Sequence, residues 1–138
     1  MRRRLIPCLL AFALAAAPAF AAEEKKNDDS NGLYVDLAQV GLPIIQNGRL
    51  VNYVFTQIRL VLNPGANPVQ LRNKEPYFRD ALVRAAHRTP FVIPGNPNKL
   101  DEVALKRTMA AEAAKIAGPR AIASVQVVTQ QPKGFVPR

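Results

Sequence analysis

Asn47-Gly48 stands between two runs of β-forming residues, 33–45 and 50–62. Asn and Gly both accept the positive φ that a type I′ turn requires at its two central positions, so the runs are expected to fold back as an antiparallel hairpin. Gly41 and Pro43 interrupt the first run, which reads as one bent strand or two short ones. The second is the clearest element of the chain, and at roughly 3.3 Å per residue it spans about 40 Å. Leu50, Val54, Ile58, Leu60 and Leu62 fall on one face. Val51, Tyr53 and Phe55 fall on the other, which turns polar at Gln57 and Arg59. One face is therefore expected to be buried throughout and the second over half its length. Asn63-Pro64-Gly65 ends the strand.

The period then changes from two to that of a helix. Asn67 can cap, Pro68 suits the first helical position, and Gln70 can complete a capping box. Pro76 lies too far in for one unbroken helix, so a short first piece and a restart at Pro76 are expected, ending near Arg88. Phe78, Ala81, Leu82, Ala85 and Ala86 form an apolar stripe in that second piece, and Asp80 and Arg84 are spaced for an ion pair. The stretch 89–98 holds three prolines and a glycine and reads as loop. Asn98 is read as the cap of a helix over 99–117, with Asp101 at its third position and Leu100, Ala104, Leu105, Met109, Ala113 and Ile116 facing the core. Gly118-Pro119 stops it, and 121–130 reads as a last strand. The order β-β-α-α-β predicts an α+β domain over 33–130, a small mixed or antiparallel sheet with helices packed on one face. A polar tail, 131–138, is expected to fray.

The N-terminus reads as an address rather than a fold. Arg2, Arg3 and Arg4 precede an apolar stretch, and Ala19-Phe20-Ala21 gives the small-x-small pattern of signal cleavage, so residues 1–21 are expected to be removed before Ala22. The alternative is an uncleaved anchor holding the chain in the inner membrane, but that needs about 20 apolar residues. Pro7 and Pro18 interrupt a slightly shorter run here. Residues 22–32 carry nothing to bury and read as a flexible tether. The expected location is the periplasm.

The 138-residue chain has one Cys and one His and a net charge of +9. That composition excludes a disulfide framework, a Cys-rich zinc site and any two-histidine mechanism. An exported chain rarely meets nucleic acid, so the basicity points instead to an acidic protein surface, cell-wall polymer or lipid head groups. No catalytic constellation is visible. His87 has no nucleophile to serve, and Ser30 and Ser124 lack a nucleophile-elbow setting. Asp101 and Glu102 are better explained by a helix N-terminus than by acid–base work. Gly65 and Gly95 match no phosphate loop, and the carboxylates have no metal-ligand spacing. Neither enzyme activity, cofactor nor metal is expected. The helical region does concentrate positive charge: Arg72, Lys74, Arg79, Arg84 and Arg88 outnumber Glu75 and Asp80. A basic helix face built on Arg72, Arg79, Arg84 and Arg88 is a candidate surface for an anionic ligand, including peripheral contact with a membrane.

Three segments together carry a family resemblance: the strand after Asn47-Gly48-Arg49, the run Glu75-Pro76-Tyr77-Phe78-Arg79-Asp80-Ala81-Leu82, and Leu100-Asp101-Glu102-Val103-Ala104-Leu105-Lys106. With Ile122-Ala123-Ser124-Val125 opening the last strand, the pattern resembles the periplasmic domain of the flagellar basal-body-associated FliL family over about residues 34–130. Pro76, Arg79 and Asp80 stand at matching positions of the family's Pro-x-hydrophobic-Arg-Asp-Ala-Leu segment. The resemblance implies a fold similar to stomatin/prohibitin-type domains and a scaffold rather than an enzyme. It also implies self-association or contact with a protein partner, the flagellar stator, in support of motility. Members of that family are held by an uncleaved transmembrane helix, whereas the leader here reads as cleavable.

Overall fold

The computed structural model describes residues 32–134. The leader, the tether before Gly32 and residues 135–138 lie outside the described residues. Among the described residues no helix is long and apolar enough to cross a membrane. The elements run β1 (Tyr34–Asp36), β2 (Val40–Gln46), β3 (Arg49–Leu62), α1 (Pro68–Asn73), α2 (Glu75–Arg88), β4 (Val92–Ile93), β5 (Asn96–Leu100), α3 (Glu102–Ala117) and β6 (Ile122–Pro132). The fold is α+β, and all its strand pairings are antiparallel.

β3 is the centre of the four-stranded sheet. β2 and β1 share one of its edges, β2 beside the first half and β1 beside the second, while β6 runs along the other edge. Of the two readings of the first run, two short strands is the one found, separated where Leu37 N–H donates to the Ile58 carbonyl at 2.9 Å. Asn47 and Gly48 take φ of 52° and 73°, the left-handed pair of a type I′ turn, closing Gln46 against Arg49. A β-branched side chain is strained in that region, so Gly48→Val is expected to cost about 1–2 kcal/mol, read as a lower urea midpoint with an unchanged slope.

Alternation along β3 decides which face is covered. Asn52, Val54, Thr56, Ile58, Leu60 and Leu62 are buried against the helices. Leu50 departs from the expectation at 50% exposed, because the hairpin tip from Asn47 to Leu50 is exposed as a whole. The second departure is larger. Tyr53 and Phe55 were expected to be covered, yet they are 37% and 38% exposed, since the helices lie on one face of the sheet only. Phe55 instead lies over Gly41, where an added Cβ would stand 3.1 Å from the ring.

Asn67 caps α1, its side-chain oxygen accepting from Val69 and Gln70 N–H at 3.1 Å each. The helix breaks at Lys74 and restarts at Glu75, in accord with the missing N–H of Pro76. The α2 stripe of Phe78, Ala81, Leu82, Ala85 and Ala86 is buried as its spacing predicts.

The stretch 89–98 is where the sequence reading needs correction. It contains a hairpin, β4–β5, turned at Pro94-Gly95 with Gly95 at φ 76°. Asn98 does not cap α3. It accepts from the Asn52 side chain at 3.3 Å, and β5 continues to the buried Leu100. Asp101 is the cap, accepting from Ala104 N–H at 3.1 Å, so α3 starts three residues later than expected. Leu105, Met109 and Ala113 face the core, with Ala104 and Ile116 partly covered. β6 runs on through Gln131 to Pro132, and Lys133 N–H donates to the Tyr53 carbonyl at 2.8 Å, so pairing extends into the segment read as a fraying tail.

Candidate interaction surface

The basic residues singled out in α1 and α2 do not form a free positive face. Arg84 pairs with Asp80 at 2.9 Å, the i,i+4 contact expected from spacing. Arg79 stands 3.8 Å from Glu75, and Arg88 reaches across to Glu112 on α3 at 3.2 Å. Arg72 turns the other way: it donates to the Gly32 carbonyl at 2.8 Å and lies 6.0 Å from the Tyr34 ring centre. Pro76 serves the first turn of α2 and is exposed there. The structure therefore places Arg79, Asp80, Arg84 and Arg88 on one helix but partners each charge locally, which weakens the field available to a ligand.

Glu112 holds two cations, Arg88 from α2 and Lys115 from its own helix. Its Oε1 accepts from Lys115 Nζ and Arg88 Nη2, each at 3.2 Å. The hydrogen bond from Lys115 is the main influence holding its pKa below the usual carboxylate value of 4.5; desolvation opposes it, and the charges of Lys115 and Arg88 reinforce it. A carboxylate whose pKa is depressed in the folded state contributes stability above its unfolded pKa and loses it as pH falls through the folded value. Glu112→Gln is thus expected to flatten the acid side of the stability–pH curve below about pH 4.5 and leave the neutral-pH slope alone, measured by urea titrations at a series of pH values.

The sheet's uncovered face carries features that sequence reading missed. Arg59 forms a two-pronged pair with Asp36, Nε to Oδ1 at 2.7 Å and Nη2 to Oδ2 at 3.0 Å, and stacks 4.0 Å from the Tyr34 ring centre. The register opposes Asp36 to Arg59 directly, so the pair follows once β1 is placed beside β3. Farther along the same face Tyr53 and Phe55 are exposed, and Val128, the unpaired residue at a register shift of the neighbouring strand, is 41% exposed. A cleft of about 330 Å³ opens between Ile45, Gln46 and Asn47 on one side and Val92, Pro94 and Gly95 on the other. Its lining holds no titratable side chain, so it offers no acid–base chemistry. Among the described residues no group of three or more His, Cys, Asp or Glu is placed to hold a metal ion.

The arrangement suits binding at a surface: one half of the uncovered face is fixed by a charge-assisted clamp, and the other presents aromatic and aliphatic side chains to solvent. In comparisons with known proteins, no family model and no curated sequence matches the chain.

Proposed function

We propose that the chain is a non-enzymatic periplasmic protein that works by protein–protein contact, in support of the flagellar motor and its stator. The observation that carries the contact reading is the uncovered sheet face, where Tyr53 and Phe55 are each more than a third exposed, with the exposed Val128 on the neighbouring strand. Aromatic side chains on a rigid sheet bury large area at little entropic cost when a partner seats on them. The motor assignment rests on the FliL-like segment Pro76–Leu82 and the last strand. An antiparallel sheet with helices on one face supports the expected likeness to stomatin/prohibitin-type domains. The other candidate, an anionic ligand held by the basic helix face, has less support because Arg79, Arg84 and Arg88 each have a carboxylate partner.

The test is motility in soft agar. Deletion is expected to shrink the swimming halo, and the wild-type chain to restore it. Tyr53→Glu with Val128→Glu should fail to restore it at equal protein level, whereas Arg84→Glu with Arg88→Glu should succeed. Normal swimming after deletion would remove the motor role.

A further inference from the structure

We propose that the outer edge of β6 takes an added β-strand from a partner: an extended protein segment with an uncharged, β-branched centre and carboxylates at both ends. This rests on the protein-contact reading and gives that contact a mode. β6 pairs with β3 on one side, from Leu62↔Ile122 to Val54↔Pro132, and among the described residues no strand pairs with its other side. A strand paired on one side turns alternate N–H and C=O groups outward, ready to bond a further chain.

Edge strands are ordinarily kept short, charged or interrupted by proline. β1 is short, at three residues. β6 is eleven residues long, has no charged residue, and meets proline only at its final position, Pro132. Register shifts bend it twice but leave two regular stretches, 124–127 and 129–132. Each of these is long enough for several ladder bonds. The exposed Val128 joins them and would lie beside the added strand.

Charge selects the occupant. Arg120 and Lys133 are exposed just beyond the two ends of β6, and neither takes part in an ion pair among the described residues. A second copy paired antiparallel about the middle of β6 would bring Arg120 of one chain towards Lys133 of the other, in a protein still basic after the leader's three arginines are lost. Like charges placed opposite each other across a ladder destabilise it. A segment ending in Asp or Glu reverses that sign at both ends.

A fluorescein-labelled ten-residue peptide with a Thr-Val repeat between paired aspartates tests this against the full-length chain. Anisotropy should saturate, and the same centre between paired lysines should bind about tenfold more weakly. Methylation of every internal backbone amide should abolish binding, because it removes the ladder donors from both edges of the peptide and leaves the side chains in place. Arg120→Glu with Lys133→Glu should reverse the preference between the two peptides, and amide shifts on binding should lie along residues 122–132. No saturation, equal binding of the methylated peptide, or shifts confined to α2 would overturn the proposal. A dimer whose β6 amides are already protected without peptide would overturn it too, in favour of a second copy. Failure here with the Tyr53/Val128 motility defect intact would remove strand addition alone and leave the contact reading standing.

Discussion

Phe78→Ala is expected to lower stability by about 3–5 kcal/mol, enough to unfold a large part of the population of a marginally stable domain. Phe78 is fully buried and is the largest of the fully buried side chains. It belongs to one cluster with Val54, Ile58 and Leu60 of β3, Leu42 and Ile44 of β2, and Leu105 and Met109 of α3. Truncation therefore removes the wedge between the helix layer and the sheet, and the aliphatic neighbours come from three elements that cannot all collapse inward. At about 4–8 °C per kcal/mol for a domain of this size, the thermal midpoint should fall by roughly 12 °C or more. Tyr77→Ala, one residue earlier and 65% exposed, should stay within about 0.5 kcal/mol and is the natural control.

Asn52→Leu should produce the second large loss, about 2–4 kcal/mol, by a different mechanism. Asn52 is 4% exposed, at the hairpin end of the buried face of β3. Its Nδ2 donates to the Pro97 carbonyl at 2.9 Å and to Asn98 Oδ1 at 3.3 Å, while its Oδ1 accepts from Tyr53 N–H at 2.9 Å. Leucine is close in volume but takes the partner from the part-buried Pro97 carbonyl and Tyr53 N–H, and a buried group so orphaned costs roughly 1–3 kcal/mol. The damage should be local in hydrogen exchange: amides of β4 and β5 should lose protection before those of α2. Uniform loss across the domain would mean that Asn52 supports the sheet itself and not the attachment of the hairpin.

Asn52 also illustrates where sequence reading stops. By alternation it belongs to the apolar face, and nothing local announces that its partner is a carbonyl 45 residues on. The same limit explains Asn98. Its spacing before an amphipathic run suggests a cap, but Asp101 is nearer and β5 has to carry Leu100 into the core first. A Pro-Gly turn at 94–95 between Val92-Ile93 and Asn96 was the available sign of the hairpin, obscured by proline density. Conversely, β3, the Asn47-Gly48 turn, the Asn67 cap and the α2 stripe are local or strictly periodic, and they appear where expected.

The candidate surface was less accessible to that reasoning. Asp80–Arg84 follows from helix spacing, but Arg88–Glu112 joins two helices and needs the packing of α2 on α3. Tyr53 and Phe55 look like core residues because alternation tells which side chains share a face, not how many layers cover it. Here one layer of helices covers one face, and the aromatic pair is left to solvent.

The most direct test of the account is photo-crosslinking in living cells, with benzoylphenylalanine placed singly at Phe55, Val128, Arg84 and Arg88. Contact through the uncovered face and the β6 edge predicts one discrete adduct from positions 55 and 128, absent from 84 and 88, and lost on adding Tyr53→Glu. Adducts from 84 and 88 alone, together with salt-sensitive binding to anionic vesicles, would contradict it and return the basic helix face as the working surface.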